Sequence, residues 1–493
     1  MSNEIIQQIN RLDSHLKQYE LIDSLHLVWS YFVNYDLNTP LDRSIELLPR
    51  FNPEDSNINK QLSGIRNHEL EFLQKKILSN CKIISKSKSL KRKSELMHII
   101  NAIRMLNDYV EKKSINDNEL FLDLNRMYHK QFPWQHSFNI SGIMRYYKIF
   151  NTDESNSLIQ DSTGMSAWEI LILGFYFYKT SSENFKNDLN IETDTKLITE
   201  DMIHSFLDLY SMNLDECIRK IKASETKDEN IFYTYNPLIE KPIIIHSKGY
   251  ICPAPLLLYY RVTQGTYYLI CKQNSFSRII GSSFQSYIGE VLSCICSSLS
   301  VIAESSYYKG KNRKDTTDWF IYDSDSIVFI ECKVKRMSLK SKSEIDHNIE
   351  GGLEDDLKIL AKGITQIYNT FLDYSEGLYP GIQFDPGSKR FYPLILTMEN
   401  WYVNFNPGVK SKLDDYVLME FDRLGLNQEL FHQYPYYIMA AEEFERDIQL
   451  MNHYGISRYF DLLRSREITS IRDHFDFQVL FEDEFKDTFV NFS

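Results

Sequence analysis

The stretch DWFIYDSDSIVFIECK, residues 318–333, contains two apolar runs separated by a short polar segment. Both runs are rich in aromatic and β-branched residues, which favour β-strands, and the Asp-Ser-Asp-Ser segment between them is typical of a tight turn. The second run, Ile327–Ile330, has no polar residue, as expected of a strand buried on both faces. The stretch therefore predicts two neighbouring strands joined by a hairpin turn.

Three charged side chains stand at the open end of this predicted hairpin. Because residues two apart on a strand point to the same side, Glu331 and Lys333 project together while Cys332 faces the other way. Pairing across the turn brings Asp318 within reach of Glu331. Two carboxylates at strand ends are suitable ligands for Mg²⁺, and a lysine beside them can orient or deprotonate a water molecule or stabilise charge on phosphorus.

The E-x-K pattern by itself carries little information. It occurs three more times, at Glu111–Lys113, Glu225–Lys227 and Glu484–Lys486, and none of these copies follows an apolar, strand-like run. The preceding strand is therefore what distinguishes the copy at 331–333.

The sequence before the hairpin predicts a helix. Apolar residues recur at intervals of three and four from Phe284 to Ile295, which is the spacing of a helix that packs on one face. Glu290 lies beside this apolar stripe, so that it could reach the edge of the site.

The sequence after the hairpin predicts a helix over 353–374 and a strand over 392–397. Lys362 and Gln366 lie one turn apart on one face of that helix, from where they could touch DNA or the water molecules of a metal ion. The order strand, strand, helix, strand favours an α/β fold.

These elements, in this order, resemble the PD-(D/E)xK nuclease superfamily, which includes restriction endonucleases and RecB-like nucleases. The resemblance covers residues 280–400 and implies an α/β restriction-endonuclease-like core, a mixed sheet flanked by helices. It implies that Asp318, Glu331 and Glu290 bind Mg²⁺, or alternatively Mn²⁺, and that Lys333 is the catalytic lysine. In the superfamily's pattern an activated water attacks phosphorus and leaves a 5′-phosphate and a 3′-hydroxyl, with DNA a more frequent substrate than RNA.

The chain departs from the superfamily's pattern at two positions. Thr317 replaces the proline that can precede the aspartate, a common variation. RecB-like members often carry Q-x-x-x-Y on the following helix, whereas Thr370 stands four residues after Gln366 here.

Basic residues flank the predicted site on both sides. The net charge of the chain is −13, so any contact with nucleic acid has to be local. The flanking basic residues are Lys309, Lys311, Arg313, Lys314, Lys333, Lys335, Arg336, Lys340 and Lys342. The residues that we expect to contact nucleic acid are Lys311, Arg313, Lys314, Lys335, Arg336, Lys362 and Gln366.

With 493 residues, the chain is long enough for about three domains. We expect a mainly α-helical N-terminal region at 1–230 that binds a partner or senses a signal, and a hairpin-and-helix connector at 231–274. The nuclease core follows at 275–400, and 401–493 is predicted as a mostly helical C-terminal subdomain. Capping boxes are predicted at Ser166–Glu169 and Asn213–Glu216.

We expect a cytoplasmic protein without a signal peptide or a membrane span. The N-terminus has no basic start and no apolar core, and the apolar run at 170–178 is shorter than the ~18–20 residues that cross a bilayer. The seven cysteines are an odd number without a CxxC pair, which favours reduced thiols. The combination of a nuclease core with a large helical part resembles prokaryotic anti-phage or restriction-type effectors, with a protein partner or self-association through the helical regions.

Two alternatives of other classes remain at this stage. One is a metal-free ribonuclease of the HEPN kind, which uses an Arg-x4–6-His pair on a helix; Arg92 and His98 match this pattern in a basic helical region, and Arg446 and His453 match it elsewhere. The other is a catalytically silent nuclease fold that serves as a binding or assembly module. The basic segment Lys82–Lys93 is either a solvated surface or a nucleic-acid patch.

Overall fold

The computed structural model describes residues 2–37, 45, 48–49, 64–83, 88–114, 120–131, 140–189, 197–338, 342, 352–379 and 389–465. The chain folds into two compact units. The first consists of Met1–Tyr147 and Asn156–Lys272, and the second of Lys148–Ser155 and Gln273–Ser493. The protein is mixed α/β, with most of its strands in the second unit.

Helices dominate the chain up to residue 272. They are α1 (Ser2–Leu16), α2 (Leu21–Leu37), α3 (Asn67–Asn80), α4 (Lys93–Ser114), α5 (Leu120–Gln131), α6 (Ile140–Phe150), α7 (Asp153–Thr163), α8 (Ala167–Glu183), α9 (Glu200–Tyr210), α10 (Leu214–Ser224), α11 (Pro255–Val262) and α12 (Tyr267–Ile270). The predicted capping box at Ser166 is confirmed, because Ser166 and Glu169 exchange hydrogen bonds at the start of α8. Asn213 caps α10 by accepting a hydrogen bond of 2.8 Å from the Glu216 amide.

A small sheet completes the first unit. Its strands are β1 (Asn187–Asp188), β2 (Ser211–Asn213), β3 (Ile243–His246) and β4 (Gly249–Ile251), in the order β1-β4-β3-β2. The hairpin predicted within 231–274 is formed by β3 and β4, with His246 opposite Gly249. Residues 231–272 of the connector predicted at 231–274 belong to the first unit, where β3 pairs with β2 and α11 packs on α8.

The second unit is built on a five-stranded mixed sheet. Its strands are β5 (Ser300–Ala303), β8 (Trp319–Tyr322), β9 (Ser326–Lys333), β10 (Arg390–Thr397) and β11 (Tyr437–Ala440), in the order β11-β10-β9-β8-β5. Strands β9, β10 and β11 are parallel to one another, while β8 is antiparallel to β9 and β5 is antiparallel to β8. The hairpin predicted from residues 318–333 is therefore confirmed, and β9 is buried from Ser326 to Glu331. A separate two-stranded hairpin consists of β6 (Ser306–Lys309) and β7 (Asn312–Asp315).

Further helices precede, separate and follow these strands along the chain, and several of them pack on the sheet. They are α13 (Phe276–Ile295), α14 (Leu353–Ser375), α15 (Pro407–Leu424), α16 (Glu429–Gln433), α17 (Ala441–Tyr454) and α18 (Ile456–Ser465). The apolar stripe of α14 packs on β9 and β10, where the rings of Phe371 and Phe391 stack with centroids 3.9 Å apart. Burying one such aromatic side chain stabilises the fold by about 1.5–3 kcal/mol.

The region predicted as a mostly helical C-terminal subdomain contributes a strand to the same sheet. Strand β11 adds to the edge of β10, with Leu394 opposite Tyr437, and α17 and α18 contact β10 and β9. The described part of 401–493 is thus built into the second unit, because an exposed edge of β10 would leave its backbone groups unpaired. No helix in the described ranges is both long and apolar enough to cross a membrane.

Candidate active site

Asp318, the residue immediately before β8, lies beside Glu331 of β9. In the antiparallel pairing of β8 with β9, Trp319 stands opposite Ile330, so Asp318 and Glu331 form the next pair outward. Asp318 Oδ2 accepts a hydrogen bond of 2.6 Å from the backbone N–H of Cys332. Glu331 is only 4% exposed. The two carboxylates are therefore neighbours at one end of the hairpin.

Lys333 completes this group from the end of β9. Its Nζ donates to Glu331 Oε1 at 2.6 Å and to Gln366 Oε1 at 3.4 Å. The side chain runs over α14 at Gly363, where a β-carbon would lie 2.6 Å from Lys333 Cε. Because glycine has no β-carbon, the lysine side chain can pass α14 at this position and reach the carboxylates.

Two buried oxygen atoms beside this group have no hydrogen-bond partner among the described residues. They are Glu331 Oε2 and Thr317 Oγ1. A buried, unpartnered carboxylate oxygen is costly, and a bound cation or a water molecule would remove that cost. Glu331 Oε2 is therefore the atom that fits best as a ligand for a divalent cation.

The electrostatics of the pair also favour a cation. Burial raises the pKa of Asp318 to about 6 and that of Glu331 to about 7. Lys333 lowers both pKa values, and the nearby Glu304 raises both. Two ionised carboxylates in this position repel one another, so positive charge close to them would stabilise their ionised forms.

Glu304 is a third carboxylate that the sequence analysis missed. It follows β5, where Ala303 pairs with Trp319, and its backbone N–H donates to the Asp318 carbonyl at 2.8 Å. Its carboxylate accepts a hydrogen bond of 3.0 Å from Gln285 Nε2 on α13. The short β-branched run at 301–302, shortly before Glu304, is the sequence signal that predicts a strand leading to this carboxylate.

Glu290 occupies a different position from the one predicted. It forms an ion pair with Lys148, and these side chains are 55% and 43% exposed. No described interaction joins Glu290 to Asp318 or Glu331. Gln285 and Gly289 lie on the face of α13 that contacts the sheet. Trp319 Nε1 donates to the Gln285 carbonyl at 3.1 Å, and the Trp319 ring packs over Gly289. Glu290 is one residue further, which turns its side chain about 100° around the helix.

Some of the residues predicted to contact nucleic acid are exposed, and others form ion pairs with acidic side chains. Lys311 and Arg313 are exposed on the β6–β7 hairpin, and Lys362 and Gln366 are exposed on α14. Lys314 is partly exposed and forms an ion pair of 2.8 Å with Asp373.

Lys335 and Arg336 are held by acidic partners. Lys335 pairs with Asp356 at 3.0 Å. Arg336 is only 3% exposed and pairs with the buried Glu399, which also accepts Lys342 at 2.6 Å. We expected Arg336 to contact nucleic acid, but the structure places it in a buried ion pair instead. Lys340 lies outside the described residues.

The Arg–His pair of the ribonuclease alternative and two other E-x-K copies lie outside this group of carboxylates and lysine. His98 Nε2 is 2.9 Å from His15 Nδ1, so α4 and α1 bring two histidines together, and Arg92 immediately precedes α4. Two of the other E-x-K copies are not on strands, because Glu111 lies within α4 and Glu225 directly follows α10. In the basic segment Lys82–Lys93, positions 84–87 lie outside the described residues.

Within the described ranges, no group of three or more His, Cys, Asp and Glu side chains is arranged to hold a metal ion. A Mg²⁺ site needs fewer protein ligands, since this ion keeps several water molecules and commonly uses one or two carboxylates together with substrate phosphate. Asp318 and Glu331 fit that donor set.

No protein-family model matches this chain, and neither the curated proteins nor the solved structures include a significant match.

Proposed function

We propose that this chain is a Mg²⁺-dependent endonuclease of the PD-(D/E)xK kind that hydrolyses phosphodiester bonds. The observation that carries the proposal is the position of Lys333 Nζ, 2.6 Å from Glu331 Oε1 and close enough to Asp318 to lower the pKa of that carboxyl. Two carboxylates that can bind Mg²⁺ and a lysine that can orient a water molecule are sufficient groups for metal-assisted phosphodiester hydrolysis.

The sheet around these residues supports the proposal. The site lies at the point where the antiparallel pair β8–β9 meets the parallel strands β9 and β10. Helix α13 precedes the site residues in the chain and α14 follows them. Both helices pack on the sheet. A mixed sheet flanked by helices is what the resemblance to restriction endonucleases implies, and this coarse agreement supports the proposal.

Asp318 and Glu331 would hold the metal, with Glu331 Oε2 as the oxygen that has no other described partner. When bound, Mg²⁺ neutralises phosphate charge and lowers the pKa of a coordinated water. Mn²⁺ would serve in the same position, since it also accepts carboxylate and water ligands.

Lys333 is suited to guide the attacking water. Its ammonium group has three N–H donors, of which one meets Glu331 and another meets Gln366. The third has no partner among the described residues and can bind a water molecule or a non-bridging phosphate oxygen. Water attack forms a new phosphorus–oxygen bond, the bond to the 3′ oxygen breaks, and the proton lost by water balances the proton gained by that oxygen.

DNA is proposed as the substrate in preference to RNA, following the usual substrate of the superfamily. A role as an anti-phage effector rests on the analogy between a nuclease core with a large helical unit and restriction-type effectors. Unchanged phage plating across a broad panel after deletion of the protein from its host would remove the support for that role.

The test is a cleavage assay on the purified full chain with Mg²⁺. Plasmid, linear and single-stranded DNA and a single-stranded RNA are the substrates, and Asp318→Asn, Glu331→Gln and Lys333→Ala are the variants. Each variant is expected to lower the cleavage rate at least about 100-fold, and chelation of the metal should stop cleavage.

Glu111→Gln is the matched control, because Glu111 belongs to an E-x-K copy on a helix and should leave the rate unchanged. Equal cleavage by wild type and Glu331→Gln would rule the proposal out. Cleavage that survives chelation but is lost in His98→Ala would favour the HEPN-type ribonuclease instead, and no cleavage of any substrate would favour the silent binding module.

A further inference from the structure

The β6–β7 hairpin connects two residues of the candidate active site along the chain. One leg follows Glu304 and the other leads into Asp318, so both ends are attached to carboxylate positions of the site. At the base of the hairpin, the Thr316 amide donates to the Ser305 carbonyl, and the Ser305 amide donates to Thr316 Oγ1, both at 3.0 Å. The hairpin is therefore close to the site in the chain, and these two hydrogen bonds close its base directly beside Glu304 and Asp318.

The inner face of the hairpin is anchored on α14. Asp373, which is buried on that helix, accepts hydrogen bonds from the Tyr307 hydroxyl at 2.5 Å, from Lys309 at 2.5 Å and from Lys314 at 2.8 Å. The Tyr307 ring also packs edge-on against Tyr379, with centroids 4.6 Å apart. Three bonds to one carboxylate hold the hairpin in a defined orientation.

The outer face presents an aromatic ring beside a guanidinium group. Tyr308 is 66% exposed, and it stands opposite Arg313 in the register of the hairpin. Arg313 donates to Ser306 Oγ at 2.8 Å, and Ser306 in turn donates to Asp315 at 2.7 Å, so Asp315 is engaged on the same face.

The turn of the hairpin adds a second cation. Gly310 has a φ of +66°, the left-handed conformation that allows a tight reversal, and Lys311 follows it. Lys311 is exposed and makes no hydrogen bond or ion pair with the part of the chain that the structure describes. Two exposed cations and an exposed ring on a rigid hairpin are complementary to a polyanion with flat bases.

We propose that the outer face of the β6–β7 hairpin binds the substrate strand, with Tyr308 stacked on an unpaired base and Arg313 and Lys311 on its phosphates. This inference rests on the proposed nuclease function. An aromatic side chain needs access to the flat face of a base, and in a duplex that face is covered by the neighbouring base pairs. The hairpin therefore favours single-stranded or locally unpaired substrate over continuous duplex.

The inference is tested by binding measurements on the full chain carrying Glu331→Gln, which blocks cleavage. The probes are a fluorescein-labelled single strand of about 20 nucleotides, long enough to span one binding site, the same sequence as RNA, and the corresponding DNA duplex. Fluorescence anisotropy gives the affinity for each probe at low and at moderate salt.

Tyr308→Ala is expected to weaken single-strand binding about tenfold and to change duplex binding less than about twofold, whereas Tyr308→Phe should retain single-strand affinity. Lys311→Ala and Arg313→Ala should weaken binding to every probe and reduce its salt dependence, because each removes a phosphate contact. The controls are Met419→Ala, at another exposed apolar side chain, and Arg423→Ala, at an exposed cation on α15. Both should bind as the parent does.

The result that would overturn the inference is an unchanged single-strand affinity in Tyr308→Ala, or an equal loss in Tyr308→Phe, since stacking does not use the hydroxyl. A parent protein that binds neither strand nor duplex would overturn it as well. These failures are distinguishable from failure of the nuclease proposal, which is decided by cleavage in the chain with Glu331 intact. Stronger binding to RNA than to DNA would support the stacking surface and reassign the preferred polymer.

Discussion

Lys333 crosses α14 at Gly363, where a β-carbon would lie 2.6 Å from Lys333 Cε. The contact links a helix residue with no functional group to the ammonium that approaches Glu331. Because the lysine side chain is flexible, a β-carbon at this point would displace the lysine and would leave the helix in place.

Gly363→Ala is therefore expected to lower the cleavage rate about 10-fold or more, because a displacement of a catalytic group by about 1 Å can cost that much. Its thermal stability should stay the same or rise, since alanine in a helix is favoured over glycine by about 1 kcal/mol. Gly281→Ala on α13 is the matched control, because a β-carbon there meets no atom within 4 Å. It should raise stability without altering cleavage, and an equal loss of activity in both variants would contradict the positioning role.

The stability of the second unit should fall as the pH rises through the range set by the buried carboxylates. The folded-state pKa is about 6 for Asp318 and about 7 for Glu331, against ordinary values of 3.8 and 4.5. Within that range the folded protein binds more protons than the unfolded chain, so the stabilisation is complete below the ordinary values and is lost as the pH passes the raised ones.

Glu331→Gln removes the carboxyl group with the higher of these two pKa values. It should therefore raise the melting temperature at about pH 8 but not at about pH 4. Each unit of raised pKa corresponds to about 1.4 kcal/mol. Thermal unfolding of both proteins across this pH range measures the effect, with Glu111→Gln as the control for the loss of a charge at an exposed position on a helix. A melting temperature that drops equally at both pH values would contradict this reading of the site.

Divalent cations should stabilise the wild-type protein near pH 8. A ligand that binds only the folded state, present at 100 times its Kd, contributes about 2.7 kcal/mol. We expect Mg²⁺ or Mn²⁺ to raise the melting temperature of the wild type and to have little effect on Asp318→Asn or Glu331→Gln. A monovalent salt at equal ionic strength controls for screening, and an equal shift in wild type and both variants would exclude these carboxylates as ligands.

Arg336→Ala should weaken the fold, in contrast to the loss of an exposed basic residue. Burial alone would raise the pKa of Glu399, but Arg336 and Lys342 hold it at about 2, so the loss of Arg336 leaves a buried charge with one fewer partner. The expected cost is about 3 kcal/mol, measured by urea unfolding. Lys311→Ala, which removes an exposed cation, should leave the unfolding free energy unchanged within about 0.5 kcal/mol. Equal stability of the two variants would show that the Arg336–Glu399 pair is not important for folding.

The sequence alone determined the central hairpin, the helix at α14 and the strand at β10. Each depends on local periodicity, since apolar residues two apart, or three and four apart, fit one type of element whatever its neighbours are. The hairpin turn then set the register that brings Asp318 opposite Glu331, so the central pair of the candidate site followed from the sequence as well.

Contacts between residues far apart in the chain were decided only by the tertiary structure. The sheet order brings Glu304 beside Asp318, β11 joins β10 from a region that reads as helical, and α13 presents Gln285 in place of Glu290 to the site. Arg336 looks like a surface cation until Glu399 is found beside it. A residue's own sequence neighbourhood carries its preference for a helix or a strand, but the charge, burial and partner of its side chain depend on which other elements pack against it.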